Sequence, residues 1–303
     1  MKGSACAKVI LVGEHSVVYG EPAIAVPLPA LRAEAELLPG EEEGLRIVAA
    51  DVARSFLLRH AAEGDPLAVA VRLFLRTFGL EEPRAVLTLR SAIPIAAGLG
   101  SGAAVTVAIL RALAAALGVE PTREQLNAIT YEVEKLHHGT PSGIDNTVIV
   151  WEQPVWFVRG RVPQPLETAE PLPLLVAQGG PAPATRVMVE GVRRRYEAEP
   201  RRYGAYFARM GDLAREARAA LTSGHLPALG WLLDENHRLL QAIGVSTPGL
   251  DRLVEAARAA GAFGAKLTGA GGGGNVIALV PPQRRDDVRR ALLEAGATRI
   301  LEA

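Results

Sequence analysis

The stretch Pro94–Ala104, reading PIAAGLGSGAA, lies between a strand-like run at Ala85–Leu89 and a long apolar run at Ser101–Leu117. Glycines let a backbone turn tightly and approach a ligand closely, and a helix start offers N–H groups and a positive dipole end; together these favour phosphate. Ser101 adds a hydroxyl at the same place. The plainer reading, a glycine turn before a core helix, stays open on composition alone. The lysine of a Walker A loop is missing, and no glycine follows three residues after the GxG, so neither the P-loop nor the dinucleotide fingerprint fits.

Outward from this loop the chain mixes strands and helices in blocks. Lys8–Val12, Arg32–Leu38, Ala85–Leu89, Thr147–Trp151 and Val155–Val158 read as strands. Ser101–Leu117 reads as a buried helix. Thr122–His137 reads as an amphipathic one, with a Thr122/Gln125 capping box, a stripe of Leu126, Ile129, Val133 and Leu136, and a stop at Gly139. Proline-rich Arg159–Pro171 reads as a linker. Beyond it come a strand at Leu172–Val176, a helical region Thr185–Ser223 interrupted near Pro200, helices at Leu226–Ile243 and Pro248–Ala260, a strand pair at Ala265–Thr268 and Asn275–Val280, and a helix at Gln283–Ala295. The expected fold class is α+β, divided near residue 168 into domains 1–168 and 169–303.

Composition narrows the function. The 303 residues are 49% hydrophobic and 22% charged, enough for a sizeable core. Lys+Arg and Asp+Glu are both 33, so no global charge points to nucleic acid. Cys6 is the only cysteine, which excludes an intramolecular disulfide and a cysteine-based zinc site and suits a reducing, cytoplasmic setting. No stretch reads as a membrane span or a signal peptide. Only four basic residues are lysines (Lys2, Lys8, Lys135 and Lys266), and the three internal ones fall in segments with chemical character.

Three such segments accompany the glycine loop. Lys266–Asn275, KLTGAGGGGN, places four consecutive glycines between two strands, a costly run that close backbone approach would explain. Glu134–Asn146, EKLHHGTPSGIDN, puts Glu134 in the last turn of a helix, where the dipole disfavours a negative charge, and Asp145 in a following turn. A helix-end carboxylate and a loop carboxylate suit magnesium-dependent phosphoryl transfer: one holds the ion, the other accepts or orients a hydroxyl proton. The adjacent pair His137–His138 lacks zinc-site spacing. Ala7–Gly20, AKVILVGEHSVVYG, starts a strand at Lys8 and turns at Glu14 and His15; alone it carries no functional reading.

Taken together and in this order, the four segments resemble the GHMP kinase superfamily, and the mevalonate kinase family within it, from Ala7 to about Val280. PIAAGLGSGAA is similar to the superfamily's ATP-binding motif and KLTGAGGGGN to its C-terminal glycine motif. The GEH turn and the PSGxDN loop are the more selective features. The resemblance implies a two-domain α+β fold with the active site in the interdomain cleft. It implies transfer of the γ-phosphoryl of ATP to the 5-hydroxyl of mevalonate, with ATP and Mg²⁺ required and a homodimer expected. Carried over residue by residue, Asp145 and Lys8 are catalytic, and Gly98, Leu99, Gly100, Ser101, Gly102 and Ala103 bind ATP. Glu134 and Ser101 hold magnesium. Glu14, His15, Ser142, Thr185 and Gly271 line the acceptor pocket.

One departure stands out. The family usually carries two serines in the glycine loop, the second a magnesium ligand, and this chain has Ser101–Gly102. Magnesium keeps several waters readily, so water in place of one hydroxyl is a small change. The nearest rival is another kinase of the superfamily, acting on phosphomevalonate or a sugar, with Arg186 and Arg193–Arg195 as candidate basic residues. A non-catalytic nucleotide-binding member is the rival of another class, and the retained Lys8, Glu134 and Asp145 argue against it.

Overall fold

A computed structural model describes residues 1–94, 97–138 and 141–302. It divides into two compact units, Met1–Lys8 with Leu28–Glu152, and Val9–Pro27 with Gln153–Ala303. Among the described residues no helix is long and apolar enough to cross a membrane.

In the first unit, β1 (Lys2–Val12) supplies Lys8, and the Ala33–Pro39 part of β2 (Ala23–Pro39) pairs antiparallel with β5 (Ala85–Ser91). β5 also pairs parallel with β3 (Leu45–Ala49), which pairs antiparallel with β4 (Arg54–Leu57). Helix α1 (Pro66–Phe78) starts at Asp65, whose side chain accepts from Leu67 and Ala68 N–H, and ends at left-handed Gly79. Helix α2 (Ser101–Leu117) is buried along most of its length, as its all-round apolar sequence requires. Helix α3 (Arg123–His138) carries the expected capping box: Thr122 N–H donates to Gln125 Oε1 at 2.9 Å and Gln125 N–H to Thr122 Oγ1 at 3.2 Å. The stop expected at Gly139 lies outside the described residues.

Two local expectations fail here. Thr147–Trp151 is not a strand but the body of helix α4 (Ile144–Trp151), which opens at left-handed Gly143. A short apolar run buried all round has the same composition in a strand and in a buried helix, so periodicity cannot separate them. Asp145, expected in a turn, therefore sits in the first turn of α4. Leu136 points outward, and Glu134 is buried instead. The inward face of α3 runs Leu126, Thr130, Val133 and Glu134, the ordinary i, i+4, i+7, i+8 stripe with a carboxylate at its end.

In the second unit, the Ala23–Ala25 part of β2 pairs with β6 (Val155–Phe157), and β6 with the short β7 (Gln164–Pro165), which occupies part of the expected linker. A separate four-stranded antiparallel sheet runs in the order β11 (Arg299–Glu302), β8 (Leu174–Gln178), β10 (Asn275–Leu279), β9 (Gly264–Thr268). The helical region breaks at Pro200, as the sequence predicts, into α5 (Thr185–Ala198) and α6 (Pro200–Ser223). Helices α7 (Leu226–Ala242), α8 (Pro248–Ala259) and α9 (Arg285–Glu294) complete it. Leu240, Leu253, Leu267, Val276, Val288 and their neighbours form one apolar core.

An edge strand must not leave its N–H groups bare. α7 lies against the edge strand β9 so closely that a Cβ on Gly264 would sit 1.9 Å from Gly230 O. From this short distance Asp234 Oδ1 accepts from Ala265 N–H at 2.9 Å and His237 Nδ1 from Leu267 N–H at 3.3 Å. With Nδ1 accepting, the His237 proton sits on Nε2, facing Asp251 Oδ1 at 3.1 Å. Burial, only partly opposed by Asp251, lowers His237 from 6.5 to about 4.

The sign of the pH effect follows. Below pH 6.5 the unfolded chain protonates this ring, whereas the folded protein resists until about pH 4, so this residue's contribution to stability falls as pH drops through that window. We expect the loss of unfolding free energy between pH 7 and pH 4.5, measured by urea titration, to be smaller in His237→Gln than in the unaltered protein.

Candidate active site

The first unit gathers one group of charged residues. Lys8, on β1, is held by its backbone N–H, which donates to Leu99 O of the glycine loop at 3.0 Å. Its Nζ lies 2.7 Å from Asp145 Oδ1. The lysine side chain is 3% exposed and that of the aspartate 31%, so the ammonium is withdrawn from water while the carboxylate still meets it. An ammonium in such a place must be paired.

Glu134 is the second carboxylate of this group. Burial raises it from 4.5 to about 7, the negative charge of Asp145 adds to the rise, and Lys8 opposes it. A carboxylate made reluctant to ionise by burial and by a like charge is relieved by a cation, so this pair fits a divalent ion. Among the described residues no group of three or more His, Cys, Asp or Glu gathers to hold a metal. An ion here would complete its shell with water and ligand oxygens, as magnesium commonly does.

The glycine loop and α2 stand beside this charge cluster. Gly98 and Gly100 are both left-handed, with φ of 74° and 76°. Gly100 is the N-cap of α2, and among the described residues no side chain caps that end, so the backbone amides of Ser101, Gly102 and Ala103 begin the helix as a phosphate-binding turn would. Leu99 is fully buried and anchors the loop. A Cβ on Gly100 would lie 2.7 Å from Ile149 Cδ1 and 3.2 Å from the Lys8 stem, so glycine here makes room for the lysine. Ser142 lies two residues before α4, and its Oγ accepts a long 3.4 Å bond from Ile144 N–H.

The second unit gathers the GEH turn and the C-terminal glycine loop. His15 Nε2 lies 2.9 Å from Ala270 O, and because a carbonyl only accepts, Nε2 carries the proton and Nδ1 is left as an acceptor. Burial lowers His15 from 6.5 to about 4, so the ring is neutral at pH 7. Gly271 has φ +79°, and a Cβ there would lie 2.2 Å from Val245 O, whose carbonyl accepts from Gly272 N–H at 2.8 Å. Thr185 is the exposed first residue of α5, and residues 181–183 just before it pack on Gly272 and Gly273.

Glu14 departs from what its place in the turn suggests. It is 1% exposed, and its two carboxylate oxygens face Lys266 Nζ and Asn236 Nδ2. Neither partner belongs to the acceptor or nucleotide set drawn from the sequence. The rarity of lysine hints at Lys266. Nothing hints at Asn236, which sits on α7, 222 positions away.

Comparisons with known proteins show the family. The "GHMP kinases N terminal domain" family matches residues 65–152 and the "GHMP kinases C terminal" family residues 217–298. The chain belongs to the GHMP kinases. Within that family it is 38% identical to the mevalonate kinase of Pyrococcus furiosus, over 97% of this chain and 93% of that one. It is similar in structure to the mevalonate kinase of Methanococcus jannaschii, with TM-score 0.89 and 25% identity over 100% of this chain and 97% of that one. The L. major mevalonate kinase in complex with R-mevalonate gives TM-score 0.86 and 29% identity, over 100% and 94%.

The glycine loop supplies a stability test. Gly98 and Gly100 share the same left-handed φ, but among the described residues a Cβ at Gly98 meets nothing within 4 Å. Gly98→Ala should cost only the backbone term, about 1–2 kcal/mol. Gly100→Ala should cost measurably more, because the methyl group also displaces Ile149 and the Lys8 stem; urea midpoints of the two variants check this order.

Proposed function

We propose that this protein is a mevalonate kinase, transferring the γ-phosphoryl of ATP to the 5-hydroxyl of mevalonate in isoprenoid biosynthesis, in the cytoplasm. The observation that carries the chemistry is the buried Lys8 bonded to Asp145 at 2.7 Å, with a reluctant Glu134 beside them.

Phosphoryl transfer asks a protein mainly for positioning and charge stabilisation. The amides from Gly98 to Ala103 and the start of α2 bind the ATP phosphates. Asp145 accepts or orients the proton of the attacking hydroxyl. Lys8 holds the Asp145 carboxylate in place and stabilises negative charge on the attacking oxygen. Glu134 and Ser101 would hold Mg²⁺, which when bound neutralises charge on the phosphates. Ser142, His15, Thr185 and Gly271 serve the acceptor, with His15 Nδ1 as a hydroxyl-binding lone pair and Glu14 supporting the turn.

Three measurements test this reading. Purified protein with ATP and Mg²⁺ should release ADP with mevalonate, and not with phosphomevalonate, homoserine or galactose; turnover with one of those instead would discard the acceptor assignment. Asp145→Asn, which keeps the shape and removes the base, should lower kcat by about 10²–10⁴ while the fold survives. A folded Asp145→Asn protein with near-full kcat would remove Asp145 from its role. Gly102→Ser should lower the Mg²⁺ concentration needed for half-maximal rate, by restoring a hydroxyl ligand. An unchanged magnesium titration would show that position 102 does not face the ion.

A further inference from the structure

A lysine opening a glycine-rich loop is what a phosphate site would use, and Lys266 opens KLTGAGGGGN. The structure puts it to another use. Its side chain is 0% exposed, and its ammonium is paired with Glu14, itself 1% exposed. A group that water cannot reach does not meet a phosphate without rearrangement. Burial pulls the Lys266 ammonium below the usual lysine value, and the Glu14 carboxylate opposes that fall.

The other oxygen of Glu14 accepts from Asn236 Nδ2 at 3.1 Å. Asn236 is fully buried, and among the described residues its own Oδ1 has no hydrogen-bond partner. An unsatisfied amide oxygen in the interior is a net cost, so the amide serves for its donor. Both donors come from elements locked against each other: Lys266 from β9, Asn236 from α7, joined at the Gly230–Gly264 contact.

What the clamp holds is a strained turn. His15 has φ +60° and ψ −50°, a conformation that non-glycine residues adopt only when their surroundings enforce it. Two flanking links run beside the clamp. Thr268 Oγ1 accepts from Ile10 N–H at 3.2 Å and donates to Ile10 O at 2.9 Å, and His15 Nε2 donates to Ala270 O. Residues 10, 14 and 15 are thus tied to 268, 266 and 270. Of these ties only the middle one is ionic and reinforced from a third element.

We propose that Lys266 and Asn236 are positioning residues for the kinase reaction: through Glu14 they hold the Gly13–Ser16 turn in its strained form and so set His15 for the acceptor alcohol. Lys266 is not a nucleotide-binding cation, and Glu14 acts from behind the turn rather than on substrate. This rests on the mevalonate reading above for the identity of the acceptor.

The test uses the full chain in three variants: Lys266→Met, Asn236→Leu and the double variant Glu14→Gln/Lys266→Met. Thermal unfolding, KM for mevalonate, KM for ATP and the His15 imidazole titration by NMR are read for each. Lys266→Met leaves a buried carboxylate without its ammonium and should melt early; the double variant removes both charges and should recover much of that melting temperature. Positioning predicts that the acceptor KM stays raised by about tenfold or more in the double variant despite the recovered stability, with the ATP KM within about twofold. An acceptor KM that returns together with the melting temperature would show the clamp to be structural only and overturn the proposal. So would a raised ATP KM with an unaltered acceptor KM. Should Lys266→Met not fold, Asn236→Leu carries the same comparison. If the unaltered protein does not phosphorylate mevalonate, the substrate reading fails and the His15 titration decides the clamp alone. A midpoint rising from about 4 toward 6.5 in Asn236→Leu supports it, and an unmoved midpoint overturns it.

Discussion

Lys8 carries a positive charge in a place where water barely reaches it, and the first unit is arranged to make that tolerable. The Leu99 carbonyl fixes its backbone, the missing side chain of Gly100 leaves space for its stem, and α4 delivers Asp145 to its ammonium. An ammonium withdrawn from water depends on its carboxylate, even though that carboxylate is itself in part exposed. The glycine loop, β1 and the start of α4 therefore meet at one residue, Lys8. The glycine loop and the Asp145 carboxylate are held in register by the same lysine.

The two carboxylates of this site come from neighbouring helices, Asp145 from the first turn of α4 and Glu134 from near the end of α3. Burial and the negative charge of Asp145 raise Glu134 from 4.5 to about 7, and Lys8 opposes the rise. One carboxylate thus meets water beside an ammonium while the other is withdrawn from it, so burial rather than residue type sets them apart.

Much of this was legible in the sequence, and the rest was hidden for physical reasons. Glycine patterns and caps are local, so the PIAAGLGSGAA loop, the Thr122 capping box, the break at Pro200 and the strand pair around the GGGG run could all be read. Helix α1 carries signs of the same local kind, Asp65 and Pro66 at its start and Gly79 at its end. The Thr147–Trp151 helix could not be separated from a strand, because a fully buried run carries no periodicity. Asn236 was invisible for a different reason. Its meaning comes from α7 lying on β9 and from a turn 222 positions earlier, and no local pattern encodes such a meeting.

The scarcity of lysine in an arginine-rich chain is half informative, and the structure shows which half. Lys2 and Lys135 are exposed, with side chains 76% and 43% accessible, and each pairs with a surface glutamate of little energetic weight. Lys8 and Lys266 are buried in ion pairs. At those two places arginine is not a conservative exchange. A guanidinium brings five donors in a rigid plane, and an interior site that satisfies an ammonium with one carboxylate would leave most of them unpaired. The compact charge of lysine fits where a single carboxylate is the partner and a glycine, at Gly100 or Gly264, lies close in space or along the strand. On this reasoning Lys8 and Lys266 stand where the protein itself must complete the hydrogen bonding, and a compact ammonium asks least of it.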